Sequence, residues 1–416
     1  MRSIWLAVAF TAHCLVAFAA TAEVPRSVPG NWTLVKMTEA VAHGAVCLDG
    51  SPGAFYIRSP LRPDPRGTNA WVVFMEGGGW CMGDSNCYSR SLGDLGSSKG
   101  YPEVVRGMEA EDMFTKSFAT HTIVYAKYCD GSSWTGNAEA PAKPNASGHP
   151  IYYRGARLRD SLFANLLDVQ GMSKASQLVW SGCSAGALTT YIHAEWVKRT
   201  VPSTTAVVAL ADAMFSLDYP DFQRDGHGYY TGQFTWGFAA WNASAALNQA
   251  CYEAYGANES AWMCFHGAIA AKYITSLPLL IVNSKYDTWQ QAGVLGLRGI
   301  CSPTVESNGT VSLCSQNKSA LEFWLGYGQA MIGAVRNLPQ IHGAFLTNCP
   351  GHCATSGKPY GEESAFPGTN LRAAIEQWYP MAIEFARGPD PSWKAPRSIN
   401  LNILRLNVWH FHKFYY

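Results

Sequence analysis

Gly182-Cys183-Ser184-Ala185-Gly186 follows the apolar run Leu178-Val179-Trp180 and precedes Leu188–Lys198, a segment that reads as a helix. A serine between two glycines at that place constrains the fold more than any other feature. A nucleophile on a tight strand-to-helix corner needs small neighbours, because backbones approach closely there. The five-residue pattern alone occurs by chance, and its flanking strand and helix give it weight. Other parts of the chain agree. Trp71–Met75, Thr122–Tyr125, Ala206–Leu210 and Leu279–Val282 are further short, β-rich apolar runs. Leu158, Leu162, Leu166 and Val169 recur at near-helical spacing, and helices are expected near Ala320–Val335 and Leu371–Phe385. Strands alternating with helices imply an α/β fold with a mostly parallel sheet flanked by helices.

Composition narrows the class of protein. Thirty-one Lys+Arg against 30 Asp+Glu leave a formal charge of +1, which argues against broad electrostatic capture of nucleic acid or an anionic membrane. Hydrophobic residues reach 48% and charged residues only 15%, so the chain has ample material for a large core. Residues 1–22 read as a secretory signal peptide: Met1-Arg2, an apolar stretch from Ile4 to Ala20, then Ala20-Thr21-Ala22 before Glu23. No later segment holds about 18 uninterrupted apolar residues, so no integral membrane association is expected. Residues 23–390 are expected to form a single domain, and 391–416 an aromatic tail without a clear role. The stretch 219–273 is rich in Gly, Trp, Tyr and Phe and breaks the strand–helix rhythm. It reads as an insertion over one end of the sheet, either a lid or substrate wall, or a peripheral subdomain whose rings pack on each other.

Cysteine usage agrees with export. Of 12 cysteines, Cys14 leaves with the signal, and the odd number remaining implies an unpaired thiol or a pairing with another chain. Cys81/Cys87, Cys251/Cys264 and Cys301/Cys314 are spaced to staple local loops, although connectivity cannot be deduced from sequence. Six Asn-x-Ser/Thr sites (Asn31, Asn145, Asn242, Asn258, Asn308, Asn317) fall in polar, loop-like stretches. The expected location is extracellular or the cell wall.

A serine hydroxyl becomes a good nucleophile only when a base takes its proton, so a histidine and an orienting acid must follow. In α/β-hydrolases they come after the serine, acid first. Asp287, directly after the run Leu279–Val282, is the preferred acid, with Asp212 and Asp218 as competitors. His352, in Asn348-Cys349-Pro350-Gly351-His352-Cys353, is the preferred base, with His342 as its rival. A zinc site at Cys349, His352 and Cys353 is a second rival; it lacks an obvious fourth ligand. Glu76-Gly77-Gly78-Gly79-Trp80 follows the run Trp71–Met75, where esterases place a glycine-rich oxyanion loop. Gly79 and Ala185 N–H are the preferred donors, with Gly78 a third. The run lacks the Lys-Ser/Thr of a P-loop. Cys183 reads as the buried, unpaired eleventh cysteine. The chemistry requires no cofactor.

These motifs together resemble the pectin acetylesterase family of plants and other eukaryotes, whose animal relative is the Wnt deacylase Notum. The likeness runs from about Met37 to Phe385 and is carried by Phe74–Cys81, Tyr153-Arg154-Gly155, Gly182–Gly186, Tyr286-Asp287-Thr288-Trp289-Gln290 and His352-Cys353. It implies an α/β-hydrolase-like fold, a triad of Ser184, Asp287 and His352, and an oxyanion donor at Gly79. It also implies that Cys81 pairs with Cys87 and that Trp80 stands at the mouth of the substrate pocket. The chain departs at Ala187, where plant members usually carry Gly, and after Phe385. The expected activity is a secreted serine carboxylesterase that removes O-acetyl groups from pectin or a related cell-wall polysaccharide. Alternatives are a Notum-like carboxylesterase removing a longer acyl chain from a protein, and a catalytically silent glycan-binding homologue.

Overall fold

A computed structural model describes residues 31–388, apart from 106–107, 109, 143–147, 225–227, 257–259, 303, 306–310, 313, 315–316, 349, 357–359 and 361–369. The expected signal peptide, the tail 391–416, Cys349 and the sequons at Asn145, Asn258 and Asn308 lie outside the described residues.

Ten strands follow in chain order: β1 (Thr33–Lys36), β2 (Ala54–Arg58), β3 (Ala70–Met75), β4 (Thr122–Ala126), β5 (Gln177–Cys183), β6 (Ala206–Asp212), β7 (Leu279–Ser284), β8 (Thr304–Val305), β9 (Val311–Ser312) and β10 (Gly343–Thr347). Eight of them form one sheet in the order β1-β2-β4-β3-β5-β6-β7-β10, and β8 pairs with β9 apart from it. The pairings of β1 with β2 and of β2 with β4 are antiparallel, and every pairing from β4 to β10 is parallel. β3, β5, β6 and β7 are buried at every residue. Helices on both faces make that possible, which is why these strands read as unbroken apolar runs.

Successive side chains on a strand point to opposite faces, so β5 contributes to two cores. Leu178 and Trp180 join one cluster, which includes Leu158, Leu162 and Leu166 of the helix Gly155–Asp168. Val179 and Cys183 join the other, which includes Ile375, Trp378 and Ile383 of the helix Leu371–Arg387. Among the described residues, no helix is long and apolar enough to cross a membrane.

Cys183 is not the unpaired cysteine. It forms a disulfide with Cys353. Cys183 is buried in the cluster that holds Val179, and the loop carrying His352 delivers Cys353 to it. Three more disulfides join Cys47 to Cys129, Cys251 to Cys264 and Cys301 to Cys314. Cys81 and Cys87, the pair implied by the resemblance, are both buried and form no disulfide with each other. Within 219–273, Tyr230, Phe234, Trp241 and Phe265 pack ring against ring, and Tyr230 and Phe234 also meet Trp80.

Candidate active site

β5 ends and the helix Ala185–Thr200 begins around one residue, Ser184, whose backbone has φ 57° and ψ −123°. A non-glycine residue held there costs of order 1–3 kcal/mol, so its surroundings must enforce it. They do so by close approach. A Cβ on Gly186 would lie 1.9 Å from the Met75 carbonyl oxygen, and one on Gly182 would lie 2.5 Å from the Gly186 carbonyl carbon. Only glycine fits at either position, which is the physical content of the motif. The Ser184 N–H donates to the Asp212 carbonyl at 3.0 Å.

Asp287 follows β7 and caps the short helix Thr288–Gly293. Its Oδ1 accepts from the Trp289 and Gln290 N–H groups at 2.9 and 2.8 Å. Oδ2 is left for His352 Nδ1, 2.8 Å away. His352 Nε2 in turn lies 2.8 Å from Ser184 Oγ. Asp287 is buried, whereas the His352 side chain keeps 19% of its surface open. The three residues chosen from order and context along the chain are thus brought into one hydrogen-bonded line.

The rivals occupy other positions. Asp212, the last residue of β6, accepts from the Ala354 N–H at 3.0 Å, and from the Thr355 N–H and hydroxyl at 2.6 Å each. Burial pushes its carboxyl pKa up, against those hydrogen bonds and the nearby His352, which pull it down. It holds the loop that carries His352, a role sequence reasoning missed because the contact spans the chain. Asp218 is exposed. His342 is buried, and burial lowers its pKa to about 4. Ligand atoms of Cys183, His352 and Cys353 lie within 4.8 Å of one another, but the two sulfurs are bonded together. A disulfide offers no thiolates, so this donor set does not fit zinc.

Ser184 and His352 line a cavity of about 730 Å³ together with Gly77, Gly78, Gly79, Lys127 and Trp289. The N–H groups of Gly78 and Gly79 donate to no acceptor among the described residues. On the wall, Lys127 pairs with Glu76, whose other oxygen accepts from the Tyr128 N–H at 2.8 Å. Burial raises the Glu76 carboxyl pKa, against the pull of Lys127.

Trp80 does not stand at the mouth of this cavity. It is only 2% exposed, and its indole N–H donates to Gln233 Oε1 at 2.8 Å. Its ring packs against Tyr230, Phe234 and Trp289. The aromatic stretch 219–273 covers it, which nothing near Trp80 in the sequence reveals. Trp289 lines the cavity instead, with its ring centre 6.1 Å from that of His352. Its only signal in the sequence was its place in Tyr286-Asp287-Thr288-Trp289.

Known proteins resemble this chain in sequence and in fold. Pectin acetylesterase 11 of Arabidopsis thaliana is 29% identical over 85% of this chain and 88% of its own length. Pectin acetylesterase 7 of the same plant is 28% identical over 84% of this chain and 88% of its own. The palmitoleoyl-protein carboxylesterase NOTUM of Schmidtea mediterranea is 24% identical over 74% of this chain and 55% of its own. The solved structure of the Wnt deacylase Notum from Drosophila superposes with a TM-score of 0.68 at 18% identity, covering 84% of this chain and 93% of that one, which shows a shared fold. The sequence model of the family Pectinacetylesterase matches residues 26–390. The chain therefore belongs to the pectinacetylesterase family, and it is a carboxylic ester hydrolase of α/β-hydrolase-like fold.

Proposed function

We propose that this esterase is a secreted serine enzyme that hydrolyses O-acetyl esters on pectin or a related cell-wall polysaccharide. The observation that carries the reading is the pair of 2.8 Å contacts linking Ser184, His352 and Asp287 at the wall of one cavity. Ser184 Oγ attacks the acetyl carbonyl while His352 Nε2 takes its proton. Asp287 keeps the other ring nitrogen protonated and the imidazole in register. The tetrahedral oxyanion is received by the N–H groups of Gly79 and Ala185, with Gly78 as a third donor, and one such donor lowers the barrier by about 3 kcal/mol. His352 then protonates the departing sugar oxygen. Water, activated by the same histidine, releases acetate from the acyl-enzyme. Each step uses only groups of this chain and water.

The names of the Arabidopsis relatives support the acetylated polymer, and the family match supports the reaction class. Four disulfides support an oxidising compartment, which fits residues 1–22 as a signal peptide. The buried rings of 219–273 support a fixed wall behind Trp80 rather than a lid.

Acetate release from acetylated pectin, measured for the mature protein beside Ser184→Ala, tests the whole reading. Release by the first and none by the second is expected. Turnover retained by Ser184→Ala would remove the nucleophile assignment. Serine-dependent cleavage of simple esters without release from pectin would overturn the polymer. Faster cleavage of long-chain than of acetyl nitrophenyl esters would favour a Notum-like acyl preference, and a Ser184 inert to a fluorophosphonate would point to a silent glycan-binding homologue.

A further inference from the structure

The helix Asp84–Ser91 lies behind the glycine loop and carries Arg90. Arg90 Nη2 donates to the Gly78 carbonyl oxygen at 2.9 Å. Among the described residues that carbonyl is the only hydrogen-bond acceptor of the guanidinium, and no carboxylate pairs with it. Its Nε is buried and makes no hydrogen bond, while the guanidinium carbon lies 5.9 Å from the centre of the Tyr128 ring. A half-buried guanidinium that meets a single neutral carbonyl calls for a reason beyond ion pairing.

The reason follows from peptide geometry. Gly78 has φ 137° and Gly79 has φ 66°, so no side chain restrains the peptide plane between them. Such a plane rotates easily, and with it the direction of the Gly79 N–H. In a trans peptide the C=O and the N–H point in opposite directions, and the described chain contains no cis bond. Anchoring the Gly78 oxygen on the helix side therefore aims the Gly79 N–H the other way, off the helix. That N–H has no acceptor among the described residues, and Gly79 lines the cavity beside Ser184. A charged donor on the carbonyl also polarises the amide, which makes its N–H a stronger donor.

We propose that Arg90 is a positioning residue that locks the Gly78–Gly79 peptide and so sets the direction and strength of the Gly79 N–H toward the oxyanion. The inference rests on the reading of Gly79 as an oxyanion donor. Its consequence is specific: the transition state should suffer when Arg90 is removed, and the bound ester should not.

The test is Arg90→Met, which keeps an unbranched apolar stem against Tyr128 and loses the donor, with Arg90→Lys and Ser184→Ala measured beside it. For nitrophenyl acetate, kcat of folded R90M should fall about 10- to 100-fold with KM within about twofold, less than the loss of a whole donor. Affinity for a trifluoromethyl ketone, which forms a tetrahedral adduct with the serine, should fall in parallel with kcat/KM. In R90K, whose ammonium lacks the planar fork, kcat should drop at least about threefold at unchanged KM. Should R90M fail to fold, R90K alone decides by that criterion. Wild-type kcat in a folded variant, or a loss confined to KM, overturns the proposal. Turnover surviving in S184A would instead overturn the reading of the site itself, whereas an inactive S184A beside a fully active R90M removes only the role of Arg90.

Discussion

β6 and β7 are neighbouring parallel strands, and an aspartate stands at or just past the carboxyl end of each. Both aspartates are buried, and both hold the segment around His352. They hold it differently. Asp287 spends one oxygen on the N–H groups of its own helix and offers the other to the imidazole. Asp212 gives both oxygens to the backbone and hydroxyl of residues 354 and 355, and its own carbonyl holds the Ser184 N–H. One carboxylate thus orients a ring and the other anchors a loop. The comparison teaches that burial and strand-end position do not make an acid part of a triad. What decides it is which atoms the fold brings to its second oxygen.

Asp287→Asn should break the comparison most severely. An amide donates where the ring N–H must donate, which favours the wrong tautomer, so kcat should fall by about 10³- to 10⁴-fold with little change in KM or melting temperature. A loss below tenfold in kinetic assay would move the orienting role elsewhere. Asp212→Asn should act mainly on the loop. One of the accepting oxygens becomes a donor facing an N–H, so stability should fall by about 1–3 kcal/mol in denaturant titration, with kcat lowered by about tenfold. If D212N matched D287N in kcat while keeping wild-type stability, the two carboxylates would have exchanged roles.

The smallest effect is expected at the rival histidine. His342 is held neutral by burial, with its pKa lowered to about 4 from 6.5. For a histidine whose folded pKa is depressed, the neutral form contributes stability above the unfolded pKa, and that contribution is lost as pH falls from about 6.5 toward 4. In His342→Gln, the pH–rate profile of ester hydrolysis should match that of the parent. The melting temperature of the variant should decline less steeply than the parent's between pH 6.5 and 4. A shifted alkaline or acid limb of activity in H342Q would bring His342 back as a candidate base.

Much of this was legible in the sequence, for a common physical reason. The five apolar runs that became β3, β4, β5, β6 and β7 are contiguous, and burial on both faces writes itself into every residue of a parallel strand. The corner at Ser184 is equally local, since Gly182 and Gly186 are required by atoms within a few ångströms of the turn. Asp287 was legible because a strand ends just before it and a helix begins just after it. The antiparallel strands β1 and β2 were not, since runs of four and five residues carry little periodic signal, and β1 at the sheet edge buries none of its residues fully.

What the chain's order determined by itself, then, is the parallel sheet, the corner and the sequence Ser184, Asp287, His352 along it. Only the tertiary structure decided that Cys183 bonds Cys353 across 170 residues, that Trp80 is buried under 219–273 while Trp289 faces the cavity, and that Asp212 anchors a loop instead of a ring. It also decided that Arg90 reaches the Gly78 carbonyl. The division follows from range. Strand and turn preferences are set by a residue's covalent neighbours, whereas the partner of a side chain is set by which distant segment the core brings alongside, and no local pattern encodes that meeting.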